Sequence, residues 1–411
     1  MSDTRPFIDN TYYLLFIFTM VFGVLFYDAL NLTFVDELCA LALCALYAYY
    51  VLHTPNWAFN KLFLTTLGVF LFYLFYSFYI HSNTKAAIIS DFIIQFKPYI
   101  AFFTVYAFAP RFNEQMKKNI RLLVGVFSIY LLIIGIAGLF NNSILKIMLG
   151  HESRLATAAT IMALTYLFCS NYTMKDKIIF LVILSISLFS GRSKAYGFFV
   201  LATFLVLYLN SSFRLKFNFK NSMLLTVALV LTTIVAWDKI NLYFIQGGFG
   251  GGRAVDDLYA RMALYYFSTN VFMDYFPFGS GFATYATFTS GAYYSPLYNK
   301  YGMDILYGLT ESDPKFISDT YYPALAQFGV VGAVLFFLFW ITLGIKAAKL
   351  LKEGVNLKYF AITILIIIFF LIECTSDSTI THNRGLFVMM LLGLALKHMK
   401  TSLKNENSNS Q

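Results

Sequence analysis

The sequence predicts an all-α, polytopic integral membrane protein that forms one transmembrane domain over residues 1–411. Hydrophobic residues make up 59% of the chain and charged residues only 12%, about half the charged share of an average soluble domain. Apolar runs long enough to cross a hydrocarbon core of about 30 Å recur along the sequence. Lys and Arg are concentrated in alternate connecting segments, as expected for a chain that crosses a membrane many times.

The apolar runs predict about twelve spanning helices. The first run is kept as a helix and not a signal peptide, because acids precede it and a second apolar run follows. The fourth run, which carries Lys97 and Pro98, is interrupted, and so are the two that flank residues 191–194. The predicted helices cover residues 11–30, 34–52, 61–80, 92–109, 120–140, 155–170, 178–190, 195–210, 222–240, 321–343, 359–374 and 385–398.

Basic residues set the expected orientation, since Lys and Arg are retained on the cytoplasmic side. With both termini inside, the cytoplasmic segments hold 18 of the 30 Lys and Arg residues but 6 of the 21 acids. The net charge of +9 is then mostly a consequence of topology. It predicts contact with anionic membrane lipids and no binding of nucleic acid.

A long segment, residues 241–320, separates the ninth and tenth predicted helices and is expected on the outer side. Loops longer than about 15 residues are usually functional or disordered. This one is rich in Tyr, which argues against disorder. We expect it to fold against the outer membrane face, with a helix over residues 256–274 that ends at the PFGSG sequence, residues 277–281.

The stretch QGGFGGGR, residues 246–253, raises the question of a phosphate-binding loop. A Walker-type loop needs a Lys and a Ser or Thr directly after its glycines and a strand before them, and neither is present. The glycines are therefore interpreted as a flexible connector. Arg253 and Arg261, which follow them, suit either a solvated helix or an anion site.

Further basic residues lie on the predicted outer side, against the positive-inside bias. Each alone suits an interfacial anchor that extends to lipid phosphate. Together with Arg253 and Arg261 they favour an outward-facing anion site, because the planar guanidinium of arginine binds phosphate oxygens bidentately. They are Arg154 in GHESRLATAAT, Arg192 and Lys194 in SGRSKAYG, and Arg384 in TSDSTITHNRG.

Three sequence pieces, GRSKAYG, RMALYYFSTNVFMDYFPFGSGFATY and SDTYYPALAQFGVVG, occur in this order within residues 150–335. They resemble the O-antigen polymerase and ligase superfamily of bacterial surface polysaccharide assembly. That family is similar in its dozen helices and in the large outer loop before the last three. It also has an arginine in an outer turn, here Arg192, and an arginine ahead of a Pro-Gly-Gly segment, here Arg261.

One position separates the two activities of this superfamily. Ligases carry a His-Asn pair before the tenth helix, where this sequence has Ser318 and Asp319. Wzy-type polymerases more often have Asp followed by Ser or Thr, which resembles Asp319 and Thr320. The resemblance therefore implies a Wzy-type polymerase of undecaprenyl diphosphate-linked repeat units.

The resemblance also implies roles for individual residues. Arg192 and Arg261 would stabilise the departing diphosphate, and Asp319 would act as the general base, although a capping role for Asp319 at the tenth helix stays open. Glu152 and Asp256 are the other candidate bases. No metal or cofactor is expected, because a DxD motif is absent and basic side chains would replace the divalent cation. Arg154, Lys194, Arg253 and Arg384 would bind the diphosphate.

The resemblance implies a bacterial inner membrane location with the active site facing the periplasm. The expected partners are undecaprenyl diphosphate-linked glycans and membrane lipids, and a chain-length regulator stays open as a further partner. Two alternatives remain. One is a ligase that transfers glycan to lipid A core. The other is a lipid-linked oligosaccharide flippase, which predicts a symmetric repeat that the sequence does not show.

Overall fold

The computed structural model describes residues 4–54, 60–209, 260–353 and 356–409, except residues 28, 31 and 33. Within these ranges all regular secondary structure is helical. The predicted ninth helix, residues 222–240, and the glycine-rich stretch lie outside the described residues. The helices are α1 Thr4–Phe18, α2 Val35–His53, α3 Lys61–Tyr79, α4 Lys85–Phe108, α5 Glu114–Phe140, α6 Asn142–Leu149, α7 Glu152–Cys169, α8 Met174–Ser185, α9 Ser193–Tyr208, α10 Ala260–Asp274, α11 Phe288–Ala292, α12 Pro296–Lys300, α13 Gly329–Lys352, α14 Leu357–Glu373 and α15 Asn383–Asn409.

Six helical segments of the described chain are long and apolar enough to cross a membrane. They are Arg5–Leu25, Val35–His53, Lys61–Tyr79, Lys85–Phe108, Glu114–Phe140 and Pro323–Lys352. The segment Arg5–Leu25 continues α1 through a π-helical stretch, Thr19–Leu25. The described chain is thus all-helical and has the composition of a membrane protein.

The helix starts differ from those predicted from hydropathy. α4 begins at Lys85, seven residues before the predicted start, and the Thr84 side chain caps it by accepting from the Ala87 backbone N–H. α5 begins at Glu114, six residues early, after a similar cap by Asn113. Capping residues set where a helix starts, whereas hydropathy locates only its apolar part.

α4 and α15 pack against each other at the centre of the molecule. Side chains of α15 from Leu386 to Leu396 are almost fully buried. Gly393 permits the close approach, because a Cβ at this position would lie 2.8 Å from the carbonyl oxygen of Phe102. A helical stretch that is apolar all round, as residues 386–396 of α15 are, is expected in the interior of a bundle.

The described part of the predicted outer loop, residues 260–320, is folded around its own apolar core. Leu264, Val271, Tyr285 and Tyr298 belong to this core, and Tyr285 donates to the carbonyl oxygen of Leu264 at 2.7 Å. The helix predicted over residues 256–274 is present as α10 from Ala260 to Asp274, just before the PFGSG sequence, and its first four predicted residues lie outside the described ranges.

This folded segment is fixed to the turn between α3 and α4. Ser82 Oγ donates to the carbonyl oxygen of Phe282 at 3.0 Å, and Asn83 Nδ2 donates to that of Ala283 at 2.8 Å. The backbone N–H of Ala283 donates to the buried carboxylate of Asp91 at 2.8 Å. These bonds hold residues 260–320 against one end of the helical bundle.

Basic side chains that the sequence assigns to the cytoplasm lie at the opposite end. Arg121 donates to the carbonyl oxygen of Cys169 at 2.8 Å, and Lys358 donates to that of Ser170 at 2.8 Å. Arg5 donates to the carbonyl oxygen of Phe108 at 2.8 Å. Cations at the C-terminal ends of α4 and α7 satisfy exposed carbonyls and complement the helix dipoles.

Candidate functional site

Charged side chains from five parts of the sequence meet at the end of the bundle that carries residues 260–320. The contributing parts are the start of α7, the turn before α9, the start of α10, the segment 318–320, and the segment 373–384 between α14 and α15. We call this group the polar cluster. Its charged members and histidines are His151, Glu152, Arg154, Arg192, Lys194, Arg261, Asp319, Glu373, Asp377, His382 and Arg384.

Arg192 is placed by a tight turn. The helical chain after α8 ends at Gly191, whose φ of 62° lies in the left-handed region that glycine adopts without strain. Arg192 then precedes α9 and donates to Glu152 Oε2 at 2.8 Å and lies 3.3 Å from His151 Nε2. Its buried Nε has no hydrogen-bond partner among the described residues.

Lys194 lies two residues after Arg192, in the first turn of α9, and is 6% exposed. Its Nζ is 2.7 Å from Glu373 Oε2 and 3.3 Å from Asp377 Oδ2. Thr379 Oγ1 lies within hydrogen-bond distance of both carboxylates, 3.2 Å from Glu373 Oε2 and 3.0 Å from Asp377 Oδ1. Lys194 therefore joins α9 to the end of α14 and to the segment that follows it.

Arg261 and Asp319 form an ion pair between the start of α10 and the segment before α13. Their side chains are 26% and 36% exposed, so a ligand can reach both. Arg261 Nε, like Arg192 Nε, is buried without a protein acceptor in the described chain. An unpartnered guanidinium N–H costs free energy unless a ligand or water accepts from it.

Asp319 does not cap the tenth predicted helix, and that alternative interpretation is wrong. The helical chain there starts with a 3-10 turn at Pro323, preceded by Tyr322 with no side-chain cap. Pro323 has no backbone N–H, and the N–H groups of Ala324 and Leu325 donate to the carbonyl oxygens of Tyr321 and Tyr322, so no side-chain cap is needed. The Asp319 carboxylate is instead directed to Arg261.

The segment of Asp319 is held against the segment between α14 and α15. Ser378 Oγ donates to the carbonyl oxygen of Ser318 at 2.7 Å, and Tyr265 donates to that of Thr375 at 2.8 Å. The carboxylates of Asp319 and Asp377 are therefore near enough to influence each other's ionisation.

The two aspartates have opposite pKa shifts. Burial raises the pKa of the Asp319 carboxyl, against the charge of Arg261, and the charge of Asp377 adds to the rise. Burial also opposes ionisation of Asp377, but the charges of Lys194 and Arg384 outweigh it and hold the Asp377 pKa well below its ordinary value. Neighbouring groups with divergent pKa values are typical of acid–base sites.

Of the remaining predicted anion-binding residues, Arg154 and Arg384 belong to the polar cluster and Arg253 is not described by the structure. Arg154 donates to the carbonyl oxygen of Leu149 at 3.2 Å. Arg384 is 7% exposed and lies near Asp377 and His382. Burial and the charges of Arg384 and Arg154, opposed by that of Asp377, lower the pKa of His382 to about 4. Arg253 and the alternative base Asp256 lie outside the described residues.

Sequence reasoning did not assign a function to Glu373 and Asp377, the acids that hold Lys194. An acid at the end of the apolar run LIIIFFLIE was an available signal, since ionisable residues in or beside spanning helices are usually functional or paired. The same signal was present in Asp36 and Glu37, which lie at the start of α2 and contact Lys97 of α4. In the described part of the chain, no group of His, Cys, Asp and Glu is arranged to hold a metal ion.

Over the described residues the protein is all-helical, with apolar helices that suggest a membrane protein and a charged cluster at one end of the bundle. The sequence matches no protein-family model and no curated protein significantly. The family resemblance therefore rests on the sequence motifs given above.

Proposed function

We propose that the protein is a Wzy-type polymerase that joins oligosaccharide repeat units carried on undecaprenyl diphosphate. The observation that carries this proposal is the pair of partly exposed arginines, Arg192 and Arg261, each with a buried Nε that has no acceptor among the residues the structure describes. Arg261 also contacts a carboxylate whose pKa is raised. A diphosphate that accepts from both guanidinium groups would supply the missing acceptors.

The proposed membrane arrangement follows the sequence. Twelve helices would cross a bacterial inner membrane, with both termini in the cytoplasm and residues 241–320 in the periplasm. The polar cluster then faces the periplasm, where lipid-linked diphosphates are present and nucleotides are not. Energy for the transfer is stored in the glycosyl diphosphate, so no nucleotide is required.

In the proposed reaction, a hydroxyl of the acceptor sugar attacks the anomeric carbon of the donor chain. A new carbon–oxygen bond forms, the bond from the anomeric carbon to the diphosphate oxygen breaks, and its electron pair leaves with undecaprenyl diphosphate. The hydroxyl proton passes to Asp319. Direct displacement inverts the anomeric centre. Arg192 and Arg261 stabilise the charge that develops on the leaving group.

The ion pair of Arg261 and Asp319 fits a role for both residues in one step. A bound diphosphate would compete with Asp319 for Arg261, and Asp319 would then be released as a base close to the reacting sugar. A raised pKa makes the carboxylate a stronger base than an ordinary aspartate. Lys194 and Arg384 lower the pKa of Asp377, so Asp377 stays ionised and supports the high Asp319 pKa.

A ligase is the second candidate, because two histidines lie in the polar cluster although the matched ligase position is Ser318. His151 is 3.3 Å from Arg192, and His382 is close to Asp377. Burial and the charge of Arg192 lower the pKa of His151. A neutral imidazole at this position can accept a proton. A ligase would transfer the glycan to lipid A core.

Reaction of the purified full-length protein with undecaprenyl diphosphate-linked repeat units tests these candidates. Higher oligomers on the same lipid support the polymerase. Transfer only to added lipid A core supports the ligase. Movement of the substrate between leaflets of a vesicle without a new covalent product supports a flippase.

A further inference from the structure

A cavity of about 260 Å³ lies beside the polar cluster, between α2, α4, the start of α11 and the start of α15. The polar residues that line it include Gln95, Thr287, Ser318, Ser378 and Thr381. Tyr27, Phe288 and Tyr321 contribute aromatic surface. The volume is close to the lower end of small-molecule sites, which start at about 300 Å³.

The one lysine that lines the cavity in the described chain is neutralised by two acids, and the remaining charge is negative. Lys97, which is 4% exposed, contacts the carboxylate of Asp36 and lies 2.7 Å from Glu37 Oε1. The Asn383 amide donates to both oxygens of Asp36 at 3.0 Å. Asp36 is buried, whereas Glu37 is 48% exposed and directs a carboxylate to the cavity.

No uncompensated cation lines this cavity in the described part of the chain. Its basic side chains there are Lys97, which is paired with two acids, and His382, whose pKa of about 4 leaves it neutral at pH 7. A diphosphate would therefore find no counter-charge here. Carboxylate, amide and hydroxyl groups together with aromatic faces instead suit the hydroxyls and the apolar C–H face of a sugar ring.

The cavity lies next to the segment that carries the proposed base. Ser318 lines the cavity, and the following residue, Asp319, forms the ion pair with Arg261. The hydrogen bond of 2.7 Å from Ser378 to the Ser318 carbonyl oxygen joins the two walls at this point. A sugar ring in the cavity would thus lie beside Asp319. Asp319 would lie between that ring and Arg261.

We propose that this cavity binds the non-reducing terminal sugar of the acceptor, the sugar whose hydroxyl attacks. This inference rests on the proposed polymerase function and extends it. The donor sugar carries its diphosphate directly and needs adjacent cations, whereas the terminal acceptor sugar is the part of the substrate farthest from its own diphosphate. Glu37 accepts from hydroxyls of the bound ring, and Phe288 covers its C–H face.

The test compares the binding of two probes to the full-length protein in lipid nanodiscs. One probe is undecaprenyl diphosphate, and the other is the same lipid carrying the repeat unit extracted from the protein's own cells. Glu37→Gln should weaken binding of the glycosylated lipid by about tenfold or more, since a hydrogen bond to a charged group is stronger than one to a neutral amide. Phe288→Ala should also weaken it by about tenfold, because the aromatic surface that covers the sugar ring is lost. Neither should change binding of the sugar-free lipid.

Two matched controls separate this effect from a change in folding. Glu114→Gln removes an exposed glutamate that is also paired with a lysine, and Ile305→Ala truncates a 66% exposed apolar side chain outside the cavity. Both should leave both affinities unchanged. Because Phe288 is 63% exposed and makes no ion pair, its truncation tests the cavity without disturbing Lys97.

The inference is overturned if both cavity variants bind the glycosylated lipid as tightly as wild type does. It is also overturned if the variants lose as much affinity for the sugar-free lipid as for the glycosylated one. The proposed function fails separately. If the wild-type protein binds the glycosylated lipid through the cavity but forms no oligomer from it, the binding site stands and the polymerase does not. If it forms oligomers that the cavity variants form equally well, only this inference is lost.

Discussion

Arg261 is the residue whose contacts bear most directly on catalysis. Its guanidinium contacts Asp319, its buried Nε has no acceptor in the described part of the chain, and its partial exposure leaves it open to a ligand. Arg261→Ala should lower the rate of polymer formation by about 100-fold to 1000-fold, as the loss of one oxyanion donor does in other enzymes. The rate would be measured with purified protein and lipid-linked repeat units.

Arg121→Ala is the matched control for this prediction. Arg121 is half-buried and donates to the Cys169 carbonyl oxygen at the opposite end of the bundle. Its removal should leave the rate within about threefold of wild type, as for surface substitutions away from a site. Equal losses in the two variants would contradict a role for Arg261 in the diphosphate site.

Asp319 should give the reaction an acidic limb in its pH dependence. The ionised form is the base, and burial raises its pKa, so activity should fall as the pH falls through a value above the ordinary aspartate pKa of about 3.9. Asp319→Asn should remove most of the activity and this limb with it. Rates from pH 4 to 9 would show it.

Asp313→Asn is the control, because Asp313 is exposed and paired with Lys315. It should leave the pH profile unchanged. A wild-type profile retained in Asp319→Asn would assign the base to another group, with Glu152 and His151 the nearest alternatives.

At the scale of helices, Lys194 joins α9 to the end of α14 through the buried Glu373 and the partly buried Asp377. Lys194→Met would leave Glu373 and Asp377 close together without their cation. Breaking a buried ion pair by removing one partner costs about 3–5 kcal/mol. The expected result is a marked fall in the thermal unfolding temperature of the detergent-purified protein.

Lys300→Met offers the comparison, since Lys300 is 46% exposed and pairs with Asp274. An exposed pair contributes about 0–1 kcal/mol, so this variant should unfold close to wild type. Similar unfolding temperatures for the two variants would show that the Lys194 contacts do not stabilise the bundle.

The contact of α15 with α4 depends on a missing side chain at Gly393. Gly393→Ala would place a Cβ 2.8 Å from a backbone carbonyl oxygen that cannot rotate away, and overpacking typically costs about 1–3 kcal/mol. Gly344→Ala, where no atom lies within 4 Å of the added Cβ, should be neutral or stabilising. Thermal unfolding of both variants measures the difference, and equal stability would contradict close packing at Gly393.

Hydropathy predicted the long apolar helices of the described chain but not the short helices α6, α11 and α12, and not the residues at which helices start. Apolar runs determine which part of a chain can be buried, whereas side-chain caps such as Thr84 and Asn113 determine the residue at which a helix begins. Motifs predicted Arg192, Arg261 and Asp319 as candidates, and the structure brings these residues into one cluster. Sequence could not predict that Lys194 meets Glu373, because the two are 179 positions apart and their contact depends on helix packing.

At the scale of the whole molecule, the polar cluster and the basic helix ends lie at opposite ends of the bundle. The proposed topology puts the cluster outside the cell membrane. In a variant with Cys44 replaced by serine, a cysteine at the exposed Lys315 should react with an impermeant maleimide added to intact spheroplasts. A cysteine at the exposed Lys118 should react only after lysis. The reverse pattern would contradict the proposed orientation.

The central claim is glycosyl transfer with undecaprenyl diphosphate as the leaving group. Its most direct test is to incubate the purified protein with radiolabelled undecaprenyl diphosphate-linked repeat units and to count both products. We predict a ladder of oligomers on the lipid and one released undecaprenyl diphosphate for each new linkage. Absence of a ladder with folded protein, or a ladder without release of undecaprenyl diphosphate, would contradict the account.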